Sequence, residues 1–72
     1  MSSVLMFRLT AATIALFPEE DRLVARAIPQ GSVIRVNTLT KEKFVEVVWD
    51  GQTVRMFTQD LRERGERVGG AA

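Results

Sequence analysis

The stretch VEVVWDGQTVRMF, residues 45–57, decides the fold. Two apolar runs flank Asp50-Gly51. That pair is favoured in a two-residue type I′ hairpin turn, because both central residues must adopt positive φ. Placing the turn there fixes the register. Trp49 falls opposite Gln52, Val48 opposite Thr53 and Val47 opposite Val54. Glu46 then meets Arg55, Val45 meets Met56 and Phe44 meets Phe57. One predicted face carries Val45, Val47, Val54 and Met56, with Trp49 and Gln52 at its end, and reads as core. The other carries Phe44–Phe57, Glu46–Arg55 and Val48–Thr53, and is amphipathic. Opposed charges and opposed aromatics favour this register. A slip of one residue would mix the two sets.

Upstream, IPQGSVIRVN reads as a turn at Pro29-Gln30-Gly31 followed by a strand over residues 32–37. Ile34 and Val36 share one of its faces, Val33 and Arg35 the other. The polar TLTKEK connects it to the hairpin. RLVARAI, residues 22–28, has β character, and TIALF, residues 13–17, precedes it across a PEEDR turn or loop. Helix competes over residues 4–17, but Thr10, Thr13 and Ile14 favour strand. Beyond the hairpin, TQDL reads as a single helical or 3₁₀ turn. Leu61 closes the bottom of the core, Gly65 permits a sharp reversal, and a last short strand covers residues 66–68. The expected organisation is one small domain over residues 1–68. Residues 1–10 extend it and serve packing or association. Residues 69–72, GGAA, have nothing to bury and are expected to fray.

This order of a long hairpin, a Gly-led strand, a tight hairpin, a 3₁₀ turn and a terminal strand resembles an SH3-like small barrel. IPQGSVIRV, VEVVWDGQTV and TQDL carry the resemblance, which covers residues 12–68. It implies an all-β barrel of about five short strands. The chain also resembles short bacterial proteins that share P-x-G-x-V-I-x-V, here Pro29 to Val36. The second shared stretch is V-x-V-x-W-x-G-x-x-V-x-M-F-T-x-D-L-R-E-R-G, here Val45 to Gly65. That resemblance implies a bacterial protein and assigns no activity.

Composition narrows the chemistry. A chain of 72 residues makes one domain at most. It removes only about 60% of its unfolded surface from water, and such a core supplies roughly 3–5 kcal/mol. There is no Cys and no His. Disulfides are therefore excluded, the usual zinc and copper ligands are missing, and no metal or cofactor is expected. Ten Lys and Arg against nine Asp and Glu leave a net charge of +1, which gives no electrostatic pull toward nucleic acid or membrane. Arg62, Arg64 and Arg67 alternate with Glu63 and Glu66 and read as a solvated mixed-charge segment. The N-terminal apolar run lacks a basic leader, is interrupted by Arg8, and is too short and polar to span a bilayer. A cytoplasmic location without membrane contact is expected.

Catalysis is poorly served, because His, Cys and Tyr are all missing as bases or nucleophiles. Glu19, Glu20 and Asp21 are consecutive, as in a solvated loop. Asp50 belongs to its turn and Asp60 to the helical turn. TVRMF, residues 53–57, is similar to the Val-Gln-Ile-Tyr strand of the plasmid-encoded, trimethoprim-resistant dihydrofolate reductases. Those are SH3-like chains that form a tetramer around a shared pore. The similarity implies that Arg55, Met56 and Phe57 line such a pore in an oligomeric enzyme. Here a guanidinium and a phenyl replace the amide and the phenol, and four Arg55 side chains would repel each other. The similarity is read as one of fold.

Two binding readings follow. In the first, the chain is a non-catalytic interaction module. Phe44, Glu46, Arg55 and Phe57 form the contact face, with Arg55 paired to Glu46, and the partner is another protein or a second copy. Paired exposed aromatics mark interfaces, and either this face or the apolar residues 4–7 would serve self-association. In the second, Arg35, Lys43, Arg55 and Phe57 bind nucleic acid by stacking and phosphate contact. PEED and Trp49 suggest the acidic loop and aromatic groove of a polyproline-binding domain. However, Trp49 lies on the core side of the hairpin, so it reads as a core cap.

Overall fold

The computed structural model describes residues 4–37 and 40–68. Seven strands and one helix follow in the order β1 (Leu5–Leu9), β2 (Thr13–Glu19), β3 (Arg22–Ile28), β4 (Val33–Val36), β5 (Phe44–Trp49), β6 (Gln52–Phe57), α1 (Thr58–Arg64) and β7 (Gly65–Arg67). The strands form a single sheet in the order β3-β2-β6-β5-β4-β1-β7, and every ladder is antiparallel.

The hairpin of β5 and β6 has the register read from its turn, from Trp49 opposite Gln52 to Phe44 opposite Phe57. Asp50 (φ 54°) and Gly51 (φ 74°) both take positive φ, as a type I′ turn requires. Val45, Val47, Val54 and Met56 are buried. Ile34 and Val36 of β4 are buried beside them, while Val33 and Arg35 face out. The turn before β4 closes with Ser32 N–H donating to Pro29 C=O at 3.2 Å. Gly31, at φ 86°, fills its third position, as in a type II turn.

β2 alternates Thr13, Ala15 and Phe17 inward with Ile14, Leu16 and Pro18 outward. Its ladder to β6 spans Ala15–Met56 and Leu16–Arg55. Pro18 has no N–H to extend that ladder, and proline is tolerated where no neighbour needs one. Thr13 is fully buried and its hydroxyl donates to Ala11 C=O at 2.9 Å. The strand runs through Pro18 and Glu19, so the acidic loop is reduced to a two-residue tip at Glu20-Asp21. Trp49 caps the core as expected, packing edge-on against Phe17 with ring centroids 5.9 Å apart.

The expected closed barrel of about five strands is corrected to an open sheet of seven. No ladder joins β3 to β7 among the described residues. The reason lies in the outer hairpin. Ile28 alone of β3 is buried, so the rest of the strand runs past the core, and the molecule measures 38 × 28 × 23 Å. β1 supplies a strand inside the sheet, paired to β4 and β7, with Leu9 in the core and Leu5 and Phe7 packed against it. The apolar run at residues 5–7 is therefore used within the chain.

The expected single turn over residues 58–61 is a seven-residue helix. TQDLRER contains good helix formers, and Gln59 Nε2 donates to Glu63 Oε2 at 2.9 Å, one turn on. Asp60 in the first turn, with Arg62 and Arg64 in the last, complements the helix dipole. Leu61 closes the core, 2% exposed. Gly65 is needed for space, not for a reversal of the chain: its φ is −93°. A Cβ there would sit 2.5 Å from the Leu61 carbonyl oxygen. The expected last strand starts one residue earlier, at Gly65. Residues 69–72, expected to fray, lie outside the described residues. No described helix is long and apolar enough to cross a membrane.

Candidate binding face

The outer face of β5 and β6 follows from the same alternation that buries their inner face. Glu46 and Arg55 are exposed, while Phe44 and Phe57 are half-buried. Residues flanking a two-residue turn form a hydrogen-bonded pair, and pair types alternate along the ladder. Phe44–Phe57 and Glu46–Arg55 thus occupy non-hydrogen-bonded rungs, where side chains stand closest. The Phe44 and Phe57 rings are 4.8 Å apart between centroids and tilted by 37°. Such a pair contributes about 0.5–1.5 kcal/mol beyond the area it buries. Lys43 Nζ lies 5.9 Å from the Phe44 centroid, within cation–π reach. The Thr58 N–H donates to Lys43 C=O at 2.8 Å and ties the end of the hairpin together.

Two shallow grooves run beside this pair and share Phe44 and Glu46 as a wall. One, of about 380 Å³, lies toward β4 and is bounded by Asn37, Thr40, Glu42 and Val48 as well. The other, of about 350 Å³, shares Glu42 and adds Lys43 and Arg55. Phe57 lines neither; it packs against Phe44 from the neighbouring strand. Sequence reasoning passed over Glu42, Asn37 and Thr40. They sit in the polar connection before β5, where no pattern marks a residue as facing a groove.

The structure brings Phe44, Glu46 and Arg55 together around one groove, with Lys43 at its side. The expected Glu46–Arg55 ion pair does not form. Among the described residues the ion pairs are Arg8–Glu66, at 3.1 Å, and Arg26–Glu19. Both are exposed, and such pairs contribute about 0–1 kcal/mol. Arg55 instead lies across from Leu16 of β2 on its other side. Arg35 is not part of this cluster. Its rung runs Met6–Arg35–Val48. Val48 is four residues along β5 from Phe44, about 13 Å at the usual rise of a strand. A single surface holding Arg35, Lys43, Arg55 and Phe57 is thus spread over two strand rows. No three His, Cys, Asp or Glu side chains converge among the described residues.

The chain matches no family model, no curated protein and no solved structure.

Proposed function

We propose that the chain is a small non-catalytic interaction module whose contact face is the outer side of the β5–β6 hairpin. The observation that carries this reading is the packed Phe44–Phe57 pair, half-exposed on a sheet face, with two grooves against Phe44. Glu46 and Arg55, exposed and not paired to each other, supply one charge of each sign beside it. A protein segment with an apolar side chain for the rings and flanking charges of both signs suits this face. Complete burial of one such apolar side chain supplies about 1.5–3 kcal/mol. The connectivity reads best as that of an SH3-like barrel left open between β3 and β7. The support is the order of the outer hairpin, the Gly-led β4, the tight β5–β6 hairpin, a short helix, and β7 returning to β1.

Nucleic-acid binding is the second reading, favoured by the placement of Lys43 over the Phe44 ring. Capture from a native lysate, read for protein and nucleic acid together, separates the two. A protein partner bound by the parent chain and lost in Phe44→Ser, with the fold retained, supports the first reading. Recovery of nucleic acid instead supports the second. A partner held equally by Phe44→Ser refutes this face.

A further inference from the structure

β3 ends the sheet, and no described strand pairs with its outer side. It pairs with β2 along all seven of its residues and with no other strand among the described ones. At the far end, β7 is three residues long, which blunts that edge. β3 is longer, carries neither Pro nor Lys within it, and keeps an unbroken register from Arg22 to Ile28. Soluble proteins blunt long flat edges with short strands, bulges, charged side chains (Lys above all) or Pro, because a bare edge templates pairing. The charges of β3, Arg22 and Arg26, stand on one face of the strand and leave Leu23, Ala25 and Ala27 of the other face uncharged.

The direction of its unpaired groups follows from the register. Glu19 and Arg22 flank the two-residue turn, so they form a hydrogen-bonded pair, and bonded pairs alternate from there. Arg22, Val24, Arg26 and Ile28 therefore direct N–H and C=O toward β2. Leu23, Ala25 and Ala27 direct theirs away from the sheet. All three are exposed, Leu23 by 47%.

We propose that β3 is a self-association edge, where a second copy of this chain adds its own β3 antiparallel about a twofold axis centred on Ala25. This proposal is independent of the contact face on β5 and β6. Twofold antiparallel pairing must bring together residues that point to the same face, so the axis passes through a residue. Centring on Ala25 sets Ala25 opposite its copy and Leu23 opposite Ala27 in both directions. Every outward N–H and C=O of the strand then finds a partner. Charge selects this register over its neighbours. An axis on Val24 places Arg22 opposite Arg26, and an axis on Arg26 places that residue opposite itself. Like charges directly opposite are destabilising. The Ala25 axis sets Arg22 against Ile28 and Arg26 against Val24. Because both copies use the same patch, the assembly closes as a dimer and does not propagate. One strand pair buries less than the roughly 800 Å² per partner of a standard interface, so the dimer forms at high micromolar concentration.

Sedimentation equilibrium, with amide exchange measured at low and high concentration, tests this. The dimer is expected to appear as concentration rises toward about 1 mM, with slowed exchange at Leu23, Ala25 and Ala27. Ala25→Lys places two ammonium groups face to face and is expected to weaken the dimer at least about tenfold, as is Ala25→Glu. Mixing these two variants in equal amounts is expected to restore it. Position 25 is exposed, so far-UV circular dichroism and the urea midpoint verify that both variants remain folded. A chain that stays monomeric at about 1 mM overturns the proposal. So does a dimer that Ala25→Lys leaves intact, or one lost in Phe44→Ser but not in Ala25→Lys. A mixture that fails to re-form the dimer overturns the Ala25 axis.

Discussion

Gly65→Ala isolates a steric requirement from a conformational one. At φ −93° and ψ 126°, the backbone of Gly65 suits any residue. The obstacle is space. A Cβ at this position meets the Leu61 carbonyl oxygen at 2.5 Å, Leu61 Cδ1 at 3.0 Å and Phe7 Cδ2 at 3.3 Å. The first contact is with backbone, so no rotamer change relieves it. Gly65 N–H also donates to that same carbonyl, so a shift strains the bond that ends the helix. Overpacking of this kind costs about 1–3 kcal/mol. Against it, Gly→Ala restricts the unfolded chain and returns about 0.4–1 kcal/mol. Because the clash is with a carbonyl, the cost belongs near the upper end, for a net loss of about 2 kcal/mol. That is a large share of the roughly 3–5 kcal/mol available to a domain of this size. Trp49, the single Trp in the chain, packs against Phe17 of the core and reports unfolding by fluorescence. With a urea dependence near 1 kcal/mol/M, the midpoint is expected to fall by about 2 M. A midpoint at or above that of the parent chain would refute the close-approach argument, leaving the unfolded-state term in control.

Gly51→Val is expected to lower the urea midpoint strongly for the opposite reason: nothing lies within 4 Å of its added Cβ, but φ is 74°, where a β-branched residue is an outlier. An unchanged midpoint would exclude the type I′ turn. Ile28→Ala removes the buried end of β3 and is expected to cost about 2–5 kcal/mol. Leu23→Ala, five residues away on the same strand, is expected to change stability by less than about 1 kcal/mol; equal effects in thermal melts would mean that β3 is buried along its length. Glu66→Gln breaks an exposed ion pair to Arg8 and is expected to shift stability by under about 1 kcal/mol. If mixed single-stranded RNA or DNA binds through Lys43 and Arg55, affinity is expected to fall steeply from low to moderate salt as counterions are released; no mobility shift at low salt removes that reading.

The fold was legible where the chain carries its own local constraint. Asp50-Gly51 fixed six rungs of the β5–β6 hairpin, because a turn that demands two positive φ values leaves no freedom in register. The same held for Ile34 and Val36, inward on a strand launched by the Gly31 turn. Closure was not legible, since it depends on whether distant edges meet. RLVARAI looks like any short strand, and nothing local says that only Ile28 reaches the core. The helix was underestimated for a related reason. TQDL alone is one turn, and the extension through Arg62 and Arg64 depends on Leu61 docking under the sheet and on Gly65 clearing its carbonyl.

The candidate face separates two things that register does and does not fix. Register brought Phe44 to Phe57 and Glu46 to Arg55 with equal certainty, yet only the first pair became a contact. Rings are stiff and apolar. Once two stand on a non-hydrogen-bonded rung, leaving them apart would keep more apolar surface wet, so geometry and energy agree. Glutamate and arginine are long and well hydrated. At an exposed site their attraction barely exceeds the entropy of holding both side chains in one geometry. On its other side Arg55 stands across from Leu16 of β2, an apolar neighbour that offers it no opposite charge. Charges opposed on a surface rung therefore predict proximity of backbones, not a bond. Glu46 and Arg55 thus stay exposed and unpaired to each other beside the packed rings, as the proposed contact face requires.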